Sequence, residues 1–222
     1  MANKRTDVFP HTQLTWLSSQ LDDGVAGLSK AREHVMEVYR EPLMIYVKGS
    51  SFRSLGDAEE LVQGFFADRL GREDYLAEWL SSGRPLRRWL LVGLKYYLKE
   101  QIRAKKRGGA SLEFDPDDDD MDHPSRIYNE ASGRQIVARA MLQAEEDLRE
   151  RGFGEHWEVF VAHHIQERSF QSIGAEHKVD EKRAAVMSRT AARRFRAVLR
   201  ELVSWPGASD EELDSEIRAL CG

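Results

Sequence analysis

Only one cysteine, Cys221, occurs in the 222 residues. A single thiol beside the last residue closes no internal disulfide and adds nothing to a metal cluster, so the chain is expected to fold in a reducing cytoplasm. Runs of about 18 uninterrupted apolar residues are missing, and Met1-Ala2-Asn3-Lys4-Arg5 leads into no apolar stretch of signal-peptide length. Membrane spanning and secretion are therefore not expected. Sustained alternation of apolar and polar residues is absent too, which removes the pattern that strands require. No phosphate-cradling glycine loop, Ser-His-Asp order or pair of catalytic carboxylates stands out. Neither an enzyme nor a cofactor is expected.

What is present is charge gathered into two places. The chain carries a net −5 at pH 7, yet 84–107 holds Arg84, Arg87, Arg88, Lys95, Lys99, Arg103, Lys105, Lys106 and Arg107 against Glu100 alone. The stretch 182–200 holds Lys182, Arg183, Arg189, Arg193, Arg194, Arg196 and Arg200 with no acid. Concentrated Lys and Arg release condensed counterions from a phosphate backbone, so the two islands point to a polyanion, DNA or RNA first. At about 100° per residue, Leu86, Leu90, Leu94, Tyr97 and Gln101 share one side of the first island. Arg88, Lys95, Lys99, Arg103 and Lys106 fall opposite, with Trp89 and Tyr96 on the flank. In the second, Ala184, Met187, Ala191, Phe195, Val198 and Leu202 face one way, and Lys182, Arg189, Arg193, Arg196 and Arg200 the other.

Helical periodicity dominates, and 41% hydrophobic residues suffice for real cores. The expected fold is all-α, with two small helical domains. An extension, 1–24, precedes the first domain at 25–107. A linker at 108–133 follows, where Gly108-Gly109 is succeeded by Glu113, Asp115, Asp117 to Asp120 and Asp122 among Pro116, Pro124 and Ser125. So acidic a segment buries too little apolar surface to offset its ordering entropy and is expected to be flexible. The second domain, 134–204, reads as helices at 136–150, 154–166, 169–178 and 181–203, the last two spaced like a helix-turn-helix. In the acidic tail, 205–222, Leu213, Ile217 and Leu220 have helical spacing, and a short helix packing on the second domain is one expectation. In the first domain, Asp57 is placed to cap a helix whose Ala58, Leu61, Val62, Phe65 and Phe66 form an apolar stripe and whose Glu59, Glu60, Gln63 and Asp68 form the other face.

Taken in order, these segments resemble the extracytoplasmic-function (ECF) group of bacterial sigma factors, the dissociable promoter-recognition subunits of RNA polymerase. Asp57-Ala58-Glu59-Glu60-Leu61-Val62-Gln63-Gly64-Phe65-Phe66-Ala67 is similar to the family's region 2.2 helix, 84–107 to its regions 2.3 and 2.4, and Ser169 through Val186-Met187-Ser188-Arg189 to Leu202 to its region 4.2. Phe9-Pro10, Lys106-Arg107-Gly108-Gly109 followed by Ser111-Leu112, and Glu211-Glu212-Leu213 resemble a planctomycete-type subgroup. Two features depart from the family pattern: the turn between Val179 and Val186 is about two residues longer than the usual Gly-Ile-Ser-x-x-x-Val, and Gly174 stands where a small helix former is usual.

The resemblance implies binding to the polymerase core, promoter recognition at −10 and −35 elements, and melting. Asp57, Glu59, Glu60 and Gln63 would dock on the β′ clamp helices. Arg88, Lys95, Lys99, Arg103 and Lys106 would follow −10 phosphates, while Trp89 or Tyr96 offers a ring to exposed or flipped-out bases. Lys182, Arg183, Ser188, Arg189, Arg193 and Arg196 would meet the −35 element, with Arg183, Ser188, Arg189 and Arg193 in the major groove, where arginine takes guanine bidentately, and Arg196, like Arg200, further along toward the phosphates. An anti-sigma factor is a further partner the family allows. His156, Glu158, His163 and His164 invite a metal reading. It is set aside, because His164 follows Phe160 and Val161 at core spacing and no second ligand cluster is visible. Two rivals stand beside the sigma reading: a free-standing helix-turn-helix regulator that needs no polymerase, and a helical scaffold or metal enzyme.

Overall fold

The computed structural model describes residues 13–107 and 122–221, and every regular element among them is helical. No helix among the described residues is long and apolar enough to cross a membrane. The chain divides into two compact units. One takes the described residues up to Gln135 and those from Val203 onward; the other is Ile136–Leu202.

The first unit begins with α1 (Gln13–Asp22) and α2 (Gly24–Gly49). The expected N-terminal extension is thus part of the fold from Gln13 on, and Leu17 is fully buried in the core. A 3-10 turn, Ser51–Leu55, leads to α3 (Ala58–Phe65). There Asp57 has extended backbone, and its carboxylate accepts from the Glu59 and Glu60 amides at 2.8 and 3.2 Å. The cap satisfies two of the amide donors that every helix start leaves over. Ala58, Val62 and Phe65 go inward, and the helix runs on through one π turn, Phe66–Leu70. Next come α4 (Tyr75–Ser81), whose Trp79 is fully buried, and α5 (Leu86–Arg107), the first basic island.

Two segments differ from the expectation. From Asp122 on, the stretch expected to be linker is the start of α6 (Asp122–Glu150); the rest of it, 108–121, lies outside the described residues. Tyr128, Ala131 and Ser132 are buried, and the Tyr128 hydroxyl donates to the Arg87 carbonyl at 2.8 Å. An apolar face continuing past Asp122 outweighs the acidic composition around it. The tail likewise belongs to the first unit and not the second. Trp205 joins its core, Leu213 packs against it, and α10 (Asp210–Cys221) puts Leu220 so close to α6 that a Cβ on Gly133 would lie 2.3 Å from the Leu220 carbonyl oxygen.

In the second unit, α7 (Gly154–His164), α8 (Phe170–His177) and α9 (Glu181–Val203) close around Val159, Ala162, Ile173, Ala184 and Met187. Ser169 caps α8 through the Ser172 amide at 3.2 Å, and Asp180 caps α9 through the Arg183 amide at 2.6 Å. Between them lie Lys178, in the left-handed region at φ 55°, Val179 and Asp180. Gly174 has a steric reason here: a Cβ would sit 2.7 Å from the Val179 carbonyl oxygen, so the turn folds back over a residue without a side chain. Gly174→Ala is expected to destabilise this unit by about 1–3 kcal/mol through overpacking. Urea unfolding followed through this unit checks it, and an unchanged midpoint refutes that packing.

Candidate nucleic-acid interface

The core side of α5 consists of Leu86, Leu90, Leu91, Leu94, Leu98 and Ile102 together with Arg87, so Tyr97 and Gln101 lie half-buried at its edge. This buried arc is turned by roughly half a quadrant from the one expected from the sequence. Arg88, Tyr96, Arg103 and Lys106 remain exposed, and Lys99 is half-buried. Tyr96 is 65% exposed, much for a ring of its size. Lys95 is the correction on this helix. Its ammonium donates to the Ser125 hydroxyl at 3.3 Å and lies 5.3 Å from the centre of the Tyr46 ring, so it is turned toward the fold and away from the exposed stripe. A cation over an aromatic face, with a hydroxyl to complete its shell, is held there against the pull of solvent.

Beside the exposed face lies a cleft of about 360 Å³, with Arg72, Arg84, Tyr75, Trp89 and Tyr96 among its walls. The Tyr75 and Trp89 rings are 5.6 Å apart. Both carry a polar atom, the Tyr75 hydroxyl and the Trp89 indole nitrogen, that is buried without a hydrogen-bond partner. Burial pushes the Tyr75 hydroxyl well above the usual tyrosine range, outweighing the opposing pull of Arg69, so it stays a neutral donor. Gly93 makes room for it, since a Cβ there would lie 2.2 Å from the Tyr75 oxygen. The rim mixes Arg69, Arg72 and Arg84 with Asp74, Glu78 and Glu100, so the cleft offers a flat ligand aromatic walls to stack on and no net charge. Trp89 and Tyr96 were candidates from the sequence. Tyr75, Gly93 and Arg72 were not, because nothing in their spacing distinguishes them until α4 is laid against α5.

Of the four residues expected at a docking face, Asp57 is occupied by its cap. Glu59 is bonded to the Arg40 guanidinium and accepts from the Gln63 side chain at 3.1 Å. Glu60 and Gln63 are exposed. Gln63 also borders a groove of about 440 Å³ between α2 and the end of α3, lined by Met36, Arg40, Phe66 and Leu70.

On α9 the exposed residues Lys182, Val186, Arg189, Arg193 and Arg196 fall within about 40° of one line along the helix, and Arg183 stands to one side of it. Ser188 is a correction: at 1% exposure it lies between buried Ala184 and Ala192 on the helix and is shut off from any ligand outside the unit. Arg194 donates to Asp147 at 2.7 Å through its Nε and approaches Glu201 at 3.5 Å, leaving the line for a structural pair. His156 and His164 are both held below the usual histidine range, by burial first; next in order come the Arg183 charge for His156, and His163 then Arg196 for His164. They are neutral near pH 7 and leave the positive line to arginine and lysine. Among the described residues no group of three His, Cys, Asp or Glu side chains is placed to hold a metal ion. No family model, no curated protein and no solved structure matches the chain.

Proposed function

We propose that this protein is an ECF-type sigma factor, which binds the polymerase core, recognises a promoter at its −10 and −35 elements and assists melting. The observation that carries the reading is the cleft of Tyr75, Trp89 and Tyr96 beside the exposed cations of α5. An unstacked base needs such walls, because stacking on an aromatic face is worth about 1–3 kcal/mol. A duplex-only binder has no use for them. In this reading Arg88, Lys99, Arg103 and Lys106 hold phosphates, and Trp89 and Tyr96 receive bases. Lys182, Arg183, Arg189, Arg193 and Arg196 present the second unit to the major groove. Glu60 and Gln63, with the Met36–Phe66 groove beside them, supply a surface for the helices of the polymerase clamp. The reaction itself belongs to the polymerase.

The test is capture of polymerase core. Full-length protein is expected to bind core and to support initiation in a purified system. Gln63→Ala combined with Glu60→Lys is expected to weaken core binding at least tenfold with helix content unchanged, since both side chains are exposed. Undiminished affinity of that variant removes the docking role. Retained DNA binding with no affinity of the parent protein for core favours the free-standing regulator.

A further inference from the structure

We infer that the C-terminal helix α10 is an autoinhibitory strap on the basic helix α5, one that competes with DNA for Arg88. The inference rests on the proposed reading of α5 as a phosphate-binding helix. One carboxylate, Glu216, is shared by two consecutive arginines of α5. Its Oε1 accepts from the Arg87 Nε, and its Oε2 accepts from Arg88 at 3.0 Å. The two arginines are in opposite situations. Arg87 is 3% exposed, is also bonded to the Asn129 side chain, and is spent inside the fold. Arg88 is 58% exposed and has one hand on the strap and the other in solvent.

A phosphate that takes the Arg88 nitrogen now held by Glu216, as a two-handed grip requires, must displace a carboxylate that is itself 2% exposed and already stripped of its water. Glu216 keeps Arg87 when Arg88 leaves, so the exchange strands no buried charge and is open to DNA. The outer side of α10 adds to the barrier, because Glu211 and Glu212 are exposed on a helix anchored to α5 and repel an incoming phosphate backbone. Seating of the helix depends on two further points, buried Leu220 and the close passage of its backbone over Gly133. Linkage then makes the effect mutual: a strap that weakens DNA binding is itself loosened by DNA.

Two full-length variants test this, chosen to unseat α10 from different ends. Glu216→Gln removes the shared charge. Gly133→Ala leaves every charge in place and puts a methyl group against the Leu220 carbonyl, at a position in α6 where alanine favours the helix. Both are expected to raise affinity for a fluorescent promoter fragment by about tenfold, within the usual range of allosteric coupling. Both should steepen the dependence of log affinity on log salt by about one phosphate contact. Amide exchange in 210–221 is expected to accelerate in each variant and, in the parent protein, on addition of DNA. Binding by the parent with no gain and no change of salt slope in either variant, while exchange confirms that α10 is loosened, overturns the strap and leaves the DNA reading standing. Slower exchange of α10 on DNA binding overturns it as well. Absence of binding by all three chains overturns the DNA reading and the strap with it.

Discussion

Glu216→Ala is expected to lower the stability of the first unit by about 3–5 kcal/mol, the largest loss foreseen for any single exposed or buried polar side chain here. Arg87 is 3% exposed, and its Nε has Glu216 as partner in a site that solvent does not reach. Removing the carboxylate leaves a guanidinium desolvated with only the Asn129 amide oxygen to face it. A surface pair would be worth a few tenths of that, because water would take over. The control is the double variant Arg87→Met with Glu216→Leu. Replacing both charges by apolar groups of similar volume is expected to restore most of the loss, since the pair's desolvation cost disappears along with its attraction. Urea unfolding followed through the first unit measures both. A loss under 1 kcal/mol in the single variant shows that Arg87 finds water when its partner is gone.

Substitution of Arg193 is expected to separate reading from holding on α9. Arg193 and Arg189 are exposed one turn apart, nearer the start of the helix than half-buried Arg200. If Arg193 takes a guanine bidentately, Arg193→Ala gives up about 1–3 kcal/mol of discrimination at one upstream position. Arg193→Lys is the sharper variant. It keeps the charge and loses the planar fork, so overall affinity holds while base preference at that position flattens. Arg200→Ala is expected to lower output on all sequences alike and to reduce the salt slope by about one contact. A randomised-promoter selection measures both variants. Unchanged upstream preference in Arg189→Ala, Arg193→Ala and Arg183→Ala together removes the second unit from −35 reading. Ser188 has no part in reading, since its hydroxyl is enclosed.

Much of this protein was open to inspection in one dimension, and the reason is that helices are local. The i, i+3, i+4 spacing of Ala58, Val62 and Phe65, the cap at Asp57 and the charge line from Lys182 through Arg196 each depend on residues a turn or two apart, and the structure has them as helical spacing requires. Even the burial of Ser188 was available, because its angle on α9 falls between those of Ala184 and Ala192. Composition was the weaker guide. The acidic run before α6 masked an apolar face that begins at Tyr128, and acidity in 205–222 hid the burial of Trp205, while the stripe that ends in Leu220 was legible but not the unit it packs on.

What only the tertiary structure decided is whatever depends on residues far apart in the chain. Arg87 belongs to the basic island by sequence, yet it is neutralised by a carboxylate 129 residues away and contributes nothing to the outer charge. Lys95 sits on the expected stripe but turns to Ser125 and the Tyr46 ring once α2 and α6 are in place. The Tyr75–Trp89 cleft exists only because α4 lies against α5 at Gly93. Sequence periodicity determines which face of a helix is wet or dry. Which distant side chain a wet-face cation or a half-buried ring will meet is set by packing, where the energies of desolvation and pairing are large and no local pattern records them.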